Sequence, residues 1–273
     1  MGKLVWLASY PKSGNTWVRA FLHNYIANAQ TPHSINELVD ISVSECAMAF
    51  FGTPGQRLSP REVQALRPQV HQKLTTLHDD LVFVKTHNAN LTVHDAPLCT
   101  PELTAGAIYI VRDPRDVALS YAAFTGKSVD QIIAFMANEG AANESDGVQV
   151  FELLSSWSRH AVSWVAAPHR LLVRYEDLLA EPERGFARII RFLGAADDKP
   201  DPERLRRAIS FSSFATLAAQ EKQEGYRAAS PKGEKFFRAG QAGQWRDGLS
   251  QAQAAAVWAA HHDIMEKFGY KHA

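Results

Sequence analysis

Short apolar runs alternate along the chain with longer amphipathic ones. Lys3–Ser9 reads KLVWLAS, and DLVFVKTH (80–87), GAIYIV (106–111) and HRLLVRYEDL (169–178) are three more compact runs with few internal charges. Runs that stay apolar at successive positions predict strands covered on both faces, since the usual inside–outside alternation is lost there. Between them the spacing changes. Thr16 to about Ala29 places Trp17, Phe21 and Tyr25 at helical intervals. DPRDVALSYAAF predicts a helix with Asp113 as cap and Pro114 in its first turn, and EPERGFARIIRFLG one bounded by Pro182 and Gly194. Strands separated by helices in this way predict an α/β fold: one domain over residues 1–273, with a central parallel β-sheet flanked by α-helices on both faces.

In sheets of this kind, ligands sit outside the carboxyl ends of the strands. The polar residues expected there are PKSGNT after the first strand, Lys85 and His87 at the second, Arg112 at the third, and Tyr175, Glu176 and Asp177 at the fourth. The first group is the most telling. A strand that breaks through Pro11, Lys12, Ser13 and Gly14 into a helix points several backbone N–H groups and the positive end of a helix dipole at one spot, which suits an anion. Lys85 and His87, two apart at a strand end, project to the same face and toward that spot.

Composition narrows the partners. Lys plus Arg and Asp plus Glu each number 29, so no global field draws the 273-residue chain to nucleic acid or to a membrane surface, and a phosphate-rich ligand has to be met by locally placed cations. No apolar run approaches membrane-spanning length. The two cysteines, Cys46 and Cys99, form no CxxC and read as buried thiols of a protein in the reducing cytoplasm.

The loop is P-loop-like without being a Walker A motif: Asn15 follows Gly14 where Lys is required, and the lysine, Lys12, precedes the glycine. Two other readings stay open at this point. In one, AIYIVRD is a Walker-B-like strand of a P-loop kinase or nucleotidase, with Asp113 holding Mg²⁺; the missing Gly-Lys-Ser/Thr and the adjacent Arg112 and Arg115 weigh against it. In the other, the chain is a non-catalytic module that binds the nucleotide and a protein partner, for which Lys85 and His87 are unnecessary.

SYPKSGNTW (9–17), VKTH (84–87), RDPRDVALSY (112–121) and FFRAGQAGQW (236–245) occur in this order. Together they resemble the PAPS-dependent sulfotransferases of the cytosolic, small-molecule type, and the SYPKSGNTWVR spacing looks nearer to bacterial members. The resemblance covers nearly the whole chain. It implies PAPS as donor co-substrate, PAP as product, no metal requirement, and a small-molecule acceptor whose hydroxyl or amine receives a sulfuryl group by in-line displacement. It also implies site residues. His87 matches the catalytic base, with Lys12 and Lys85 assisting. Lys12, Ser13, Gly14, Asn15, Thr16 and Trp17 match the 5′-phosphosulfate loop, with Trp17 placed to stack on adenine. Arg112 and Ser120 match one 3′-phosphate clamp, Arg238 and Gly240 a second, and Tyr175, Ser212 and Phe214 the nucleoside contacts.

The chain departs from the family pattern at Ala239, where many members carry Lys, so one 3′-phosphate charge is missing and donor affinity is expected either to be weaker or to be compensated by Lys232 or Lys235; Gln244 and Arg246 also stand where Asp and Lys are usual. Residues 221–244 lack periodicity over most of their length and are expected to form a lid. Tyr121, Phe124, Phe50 and Phe51 are expected in the core or on the acceptor wall, and His261 and His262 on the exposed face of the last helix. Neither the acceptor nor the oligomeric state is legible.

Overall fold

The computed structural model describes residues 1–194, 199–228 and 235–272. Its centre is a five-stranded, all-parallel sheet of β1 (Lys3–Ser9), β2 (Ser42–Ser44), β3 (Leu81–Thr86), β4 (Thr104–Val111) and β5 (Arg170–Arg174), in the order β2-β3-β1-β4-β5. Connections leave the central β1 toward both edges, so the strand order reverses beside it and opens a crevice at the carboxyl ends.

Period-two alternation survives inside strands that look uniformly apolar. Leu4, Trp6 and Ala8 enter one core together with Val82, Val84, Ala107 and Tyr109, while Val5 and Leu7 enter the other with Phe83, Ile108, Ile110 and Val173. The first core is covered by helices Pro60–Leu74, Pro114–Thr125, Trp157–Val165 and Gln251–Lys267, and the second by Asn15–Ile26, Pro182–Phe192 and Pro202–Phe211. Phe21 and Phe186 stack in the second core with centroids 3.9 Å apart. Full burial of each such ring contributes about 1.5–3 kcal/mol, which fixes the first helix, and hence the loop before it, against the sheet.

The structure departs from the sequence expectations at three places. The apolar run 169–178 forms β5 only as far as Arg174, and Tyr175, Glu176 and Asp177 open a helix, Tyr175–Ala180, whose acidic first turn suits the positive end of its dipole. Ser42–Ser44 joins the sheet as an edge strand, although three residues reading SVS carry no apolar run. His261 is 3 % exposed, bonded to Ser158 Oγ at 2.9 Å and set against the Trp157 ring; only His262 lies outside, beside Asp263. The helical spacing of Val257, His261 and Met265 puts all three on the buried stripe. Cys46 and Cys99 are free and buried. No helix among the described residues is long and apolar enough to cross a membrane.

Candidate active site

A cavity of about 600 Å³ opens at the carboxyl ends of the strands. One end is the loop after β1. Gly14 takes φ +104°, and a side chain there would meet the Tyr175 ring, its Cβ lying 2.8 Å from Cδ2. Lys12 also has positive φ, 65°. The helix then begins at Asn15 without a side-chain cap, leaving the first-turn N–H groups to whatever the loop encloses. Asn15 ties the turn to its own strand through Nδ2, which donates to Leu7 O (2.8 Å) and Ser9 Oγ (3.3 Å). Ser13 is fully buried off the cavity, whereas Thr16 and Trp17 line it. Residues 13 to 15 offer a ligand their backbone N–H groups, Thr16 adds a hydroxyl at the cavity, and Ser13 Oγ is a further buried hydroxyl with no partner among the described residues.

Arg112 joins this loop to the C-terminal segment. Its Nη1 donates to Lys12 O (3.0 Å), its Nη2 to Gln241 O (2.9 Å), and its guanidinium lies 4.5 Å over the Tyr175 ring. Asp116 takes the N–H groups of Gly243 (2.6 Å) and Trp245 (2.9 Å), so residues 241–245 are laced down beside the loop. Ser120, Phe214, Arg238 and Gly240 line the same cavity. Gly240 has φ +62°, and any Cβ there would collide with the Phe214 ring, so only glycine lets the chain pass so close. Ser212 lies elsewhere: fully buried, it donates to Ala208 O at 2.8 Å and closes the helix Pro202–Phe211, away from the cavity lining. Lys235 is exposed, and Lys232 falls outside the described residues, as does the middle of segment 221–244. That segment starts helical, because Phe214–Glu224 runs into it.

Arg115 is not at the cavity. It bonds Asp113 through Nε (3.0 Å) and Nη2 (2.7 Å) and lies 3.6 Å over the Trp245 ring, while Asp113 caps its own helix by accepting from Arg115 N. A carboxylate enclosed by a guanidinium and a helix start is committed to structure, which removes the Walker-B reading of Asp113.

His87 stands at the other side of the cavity. Nδ1 lies 2.7 Å from Ser9 O, an acceptor only, so Nδ1 carries the proton and Nε2 holds the lone pair. His160 fixes the same peptide from behind: Tyr109 Oη donates to its Nδ1 (3.0 Å) and its Nε2 donates to His87 O (3.2 Å). Burial first, then the Lys85 cation, lower the His87 pKa to about 3, so the ring is neutral. Lys12 is lowered to about 7, by burial and then by Arg112, with Glu221 opposing; its ammonium lies 3.5 Å from the Phe236 centroid and 4.4 Å from that of Phe124.

Sequence reasoning missed three residues here. Glu152, on the two-residue strand Glu152–Leu153, lies 3.6 Å from Lys85 Nζ and accepts from His87 N; Arg19 binds the edge strand through Ser42 Oγ (2.6 Å); His160 is the third. A lone carboxylate in VQVFELL was the one available signal. Phe50, Tyr121 and Phe124 join Leu217, Tyr226 and Phe237 around the cavity, whereas Phe51 turns into the core over Arg67.

Trp17 Nε1 and Arg112 Nε are buried without a hydrogen-bond partner among the described residues. Orphaned donors in a wall that already has an N–H loop and two glycine close approaches fit an anionic nucleotide.

The sequence matches the family described as the sulfotransferase domain over residues 3–269. It is 26% identical to sulfotransferase 1B1 of Canis lupus familiaris over 263 residues, covering 90% of this chain and 78% of that protein. It is 23% identical to cytosolic sulfotransferase 5 of Arabidopsis thaliana, covering 89% of this chain and 74% of that protein. Among solved structures, retinol dehydratase with retinol and PAP aligns with a TM-score of 0.63 at 20% identity, covering 96% of this chain and 81% of that one. Mouse sulfotransferase SULT7A1 with PAP aligns at 0.58 and 17%, covering 96% and 84%.

Proposed function

Because the chain belongs to the sulfotransferase domain family, we propose that it moves a sulfuryl group from PAPS to the hydroxyl of a small-molecule acceptor, with His87 as general base. The observation that carries this reading is the pairing of an anion cradle with a neutral, correctly protonated imidazole across one cavity. Bound PAPS would supply an activated sulfuryl group, leaving PAP.

The chain's own residues divide the work. The N–H groups of the loop after β1, with Thr16, hold the 5′-phosphate side. Arg112, through its unused Nε, meets the 3′-phosphate together with Ser120 and Arg238, and residues 235–244 close over it. Trp17, Tyr175 and Phe214 frame the base. Lys12 presents a cation to the departing phosphate. At the opposite side, His87 Nε2 takes the acceptor's proton, and Phe50, Tyr121 and Phe124 shed water from the acceptor. The mostly apolar wall favours an uncharged, ring-bearing acceptor, with an amine as the second possibility. The non-catalytic alternative leaves the orientation of His87 without a purpose.

Calorimetry with PAP and AMP tests the donor half of this reading. One charge-assisted contact to a 3′-phosphate is worth about 1.5–3 kcal/mol, so PAP is expected to bind at least about tenfold more tightly than AMP, with no change on adding a chelator. Equal affinities, or Mg²⁺-dependent ATP turnover, would overturn it.

A further inference from the structure

Glu152 is the most deeply buried charge at the cavity, with a side chain 2 % exposed against 12 % for Lys85 beside it. It reaches this place through a small hairpin. Ala142–Asn143 pairs antiparallel with Glu152–Leu153, and the hairpin is stitched to the end of β3 by Ala89 N to Leu153 O (2.8 Å) and Leu153 N to Asn88 Oδ1 (2.8 Å). Glu152 Oε1 then faces two groups at once, accepting from His87 N (3.0 Å) and lying 3.6 Å from Lys85 Nζ. Oε2 receives Asn143 Nδ2 at 3.4 Å.

A buried carboxylate is costly unless paired, and both its oxygens are spoken for. Its position matters more than its stability. His87 is held at three points: N–H by Glu152, C=O by His160 and Nδ1–H by Ser9 O. Of these, only the Glu152 contact also engages a second candidate catalytic group. An unpaired Lys85 would be free to lean toward the anionic donor, and its charge would face the base without an offset.

We propose that Glu152 is a positioning residue that orients Lys85 and the His87 peptide as one unit. This rests on the general-base reading above. Burial alone would raise its carboxyl pKa, but the Lys85 cation, with the hydrogen bonds from His87 N and Asn143, outweighs that and holds it down to about 2, so the charge that does the orienting is present at every working pH.

Glu152→Gln keeps the acceptor for His87 N–H and removes the charge. It is expected to lower kcat by about 10- to 100-fold, the range in which misplacing a catalytic group acts, while PAP affinity and acceptor KM stay within about threefold of wild type. In the Lys85→Met background, which removes the partner charge, Glu152→Gln should cost nothing further, and the neutral pair should fold at least as well as Lys85→Met alone. The proposal is overturned by wild-type kcat in Glu152→Gln, by parallel losses of PAP affinity and thermal stability, or by multiplicative losses in the double variant. His87→Ala run in the same assay separates the two ideas. A fully active His87→Ala removes the general-base reading itself, whereas an inactive His87→Ala beside an unaffected Glu152→Gln removes only the role given to Glu152.

Discussion

Replacing His87 by alanine is expected to lower turnover on a hydroxyl acceptor by about 10²–10⁴, the usual contribution of a positioned base, with PAP binding nearly unchanged. A hydroxyl is a poor nucleophile until its proton leaves. His87 lines the cavity with Nδ1–H tied to Ser9 O, which fixes the tautomer and leaves Nε2 as the base without any need for the ring to turn. The alternative, a histidine that only packs at the end of β3, predicts that stability and PAP affinity fall together with rate. Differential scanning fluorimetry and calorimetry on the variant separate these outcomes. Activity above about a tenth of wild type in His87→Ala or His87→Gln would show that the proton leaves by another route.

The lowered pKa sets the pH dependence. A histidine shifted down to about 3 is neutral at every pH above that value, so kcat/KM on the acid side should not fall with the ordinary imidazole value near 6.5. Any acid limb that His87 contributes in the free enzyme lies below the range in which the protein is normally handled. Once the anionic donor is bound, its charge opposes Lys85 and favours the imidazolium, so the limb seen in kcat should lie at higher pH than the one in kcat/KM. Coincident limbs near 6.5 would mean that a more exposed group controls the rate.

Much of this site was legible because it is built from residues at strand ends. Apolar runs locate β1, β3, β4 and β5, and parallel pairing then forces their carboxyl ends onto one edge, bringing Lys12, His87 and Arg112 together from three separate motifs. Edge strand β2 was invisible because SVS is held by pairing with β3 and by Arg19, both long-range. Glu152 and His160 escaped for a similar reason. They act on His87 from 65 and 73 residues away, and nothing in their local sequence encodes that approach. Ser212 shows the converse: motif position placed it among the nucleoside contacts, but the end of its own helix, through Ala208 O, binds it first. Local hydrogen bonds of this kind compete with any ligand role, and spacing alone does not reveal the winner.

Lys12→Met is expected to lower kcat by about 10²–10³, comparable to the loss of one preorganised donor at a developing charge, while donor binding weakens less. The backbone at Lys12 bends through φ 65° so that the side chain leaves the turn into the cavity, where Nζ sits against the rings of Phe236 and Phe124. That environment holds the cation by ring faces instead of by a carboxylate, so an anion can recruit it without breaking an ion pair. It also makes the charge conditional. With the pKa lowered to about 7, first by burial and then by Arg112, Lys12 loses its proton as the pH of the empty enzyme rises through neutrality. A bound phosphate favours the ammonium again, so donor binding above neutral pH must take up a proton and must weaken as pH rises. Calorimetry of PAP binding at about pH 8, in buffers of different ionisation enthalpy, should show uptake approaching one proton in the wild type and correspondingly less in Lys12→Met. Equal proton uptake in the two proteins would assign the titration to another group, and a Lys12→Met variant with wild-type kcat and only a raised donor KM would reduce Lys12 to a phosphate holder.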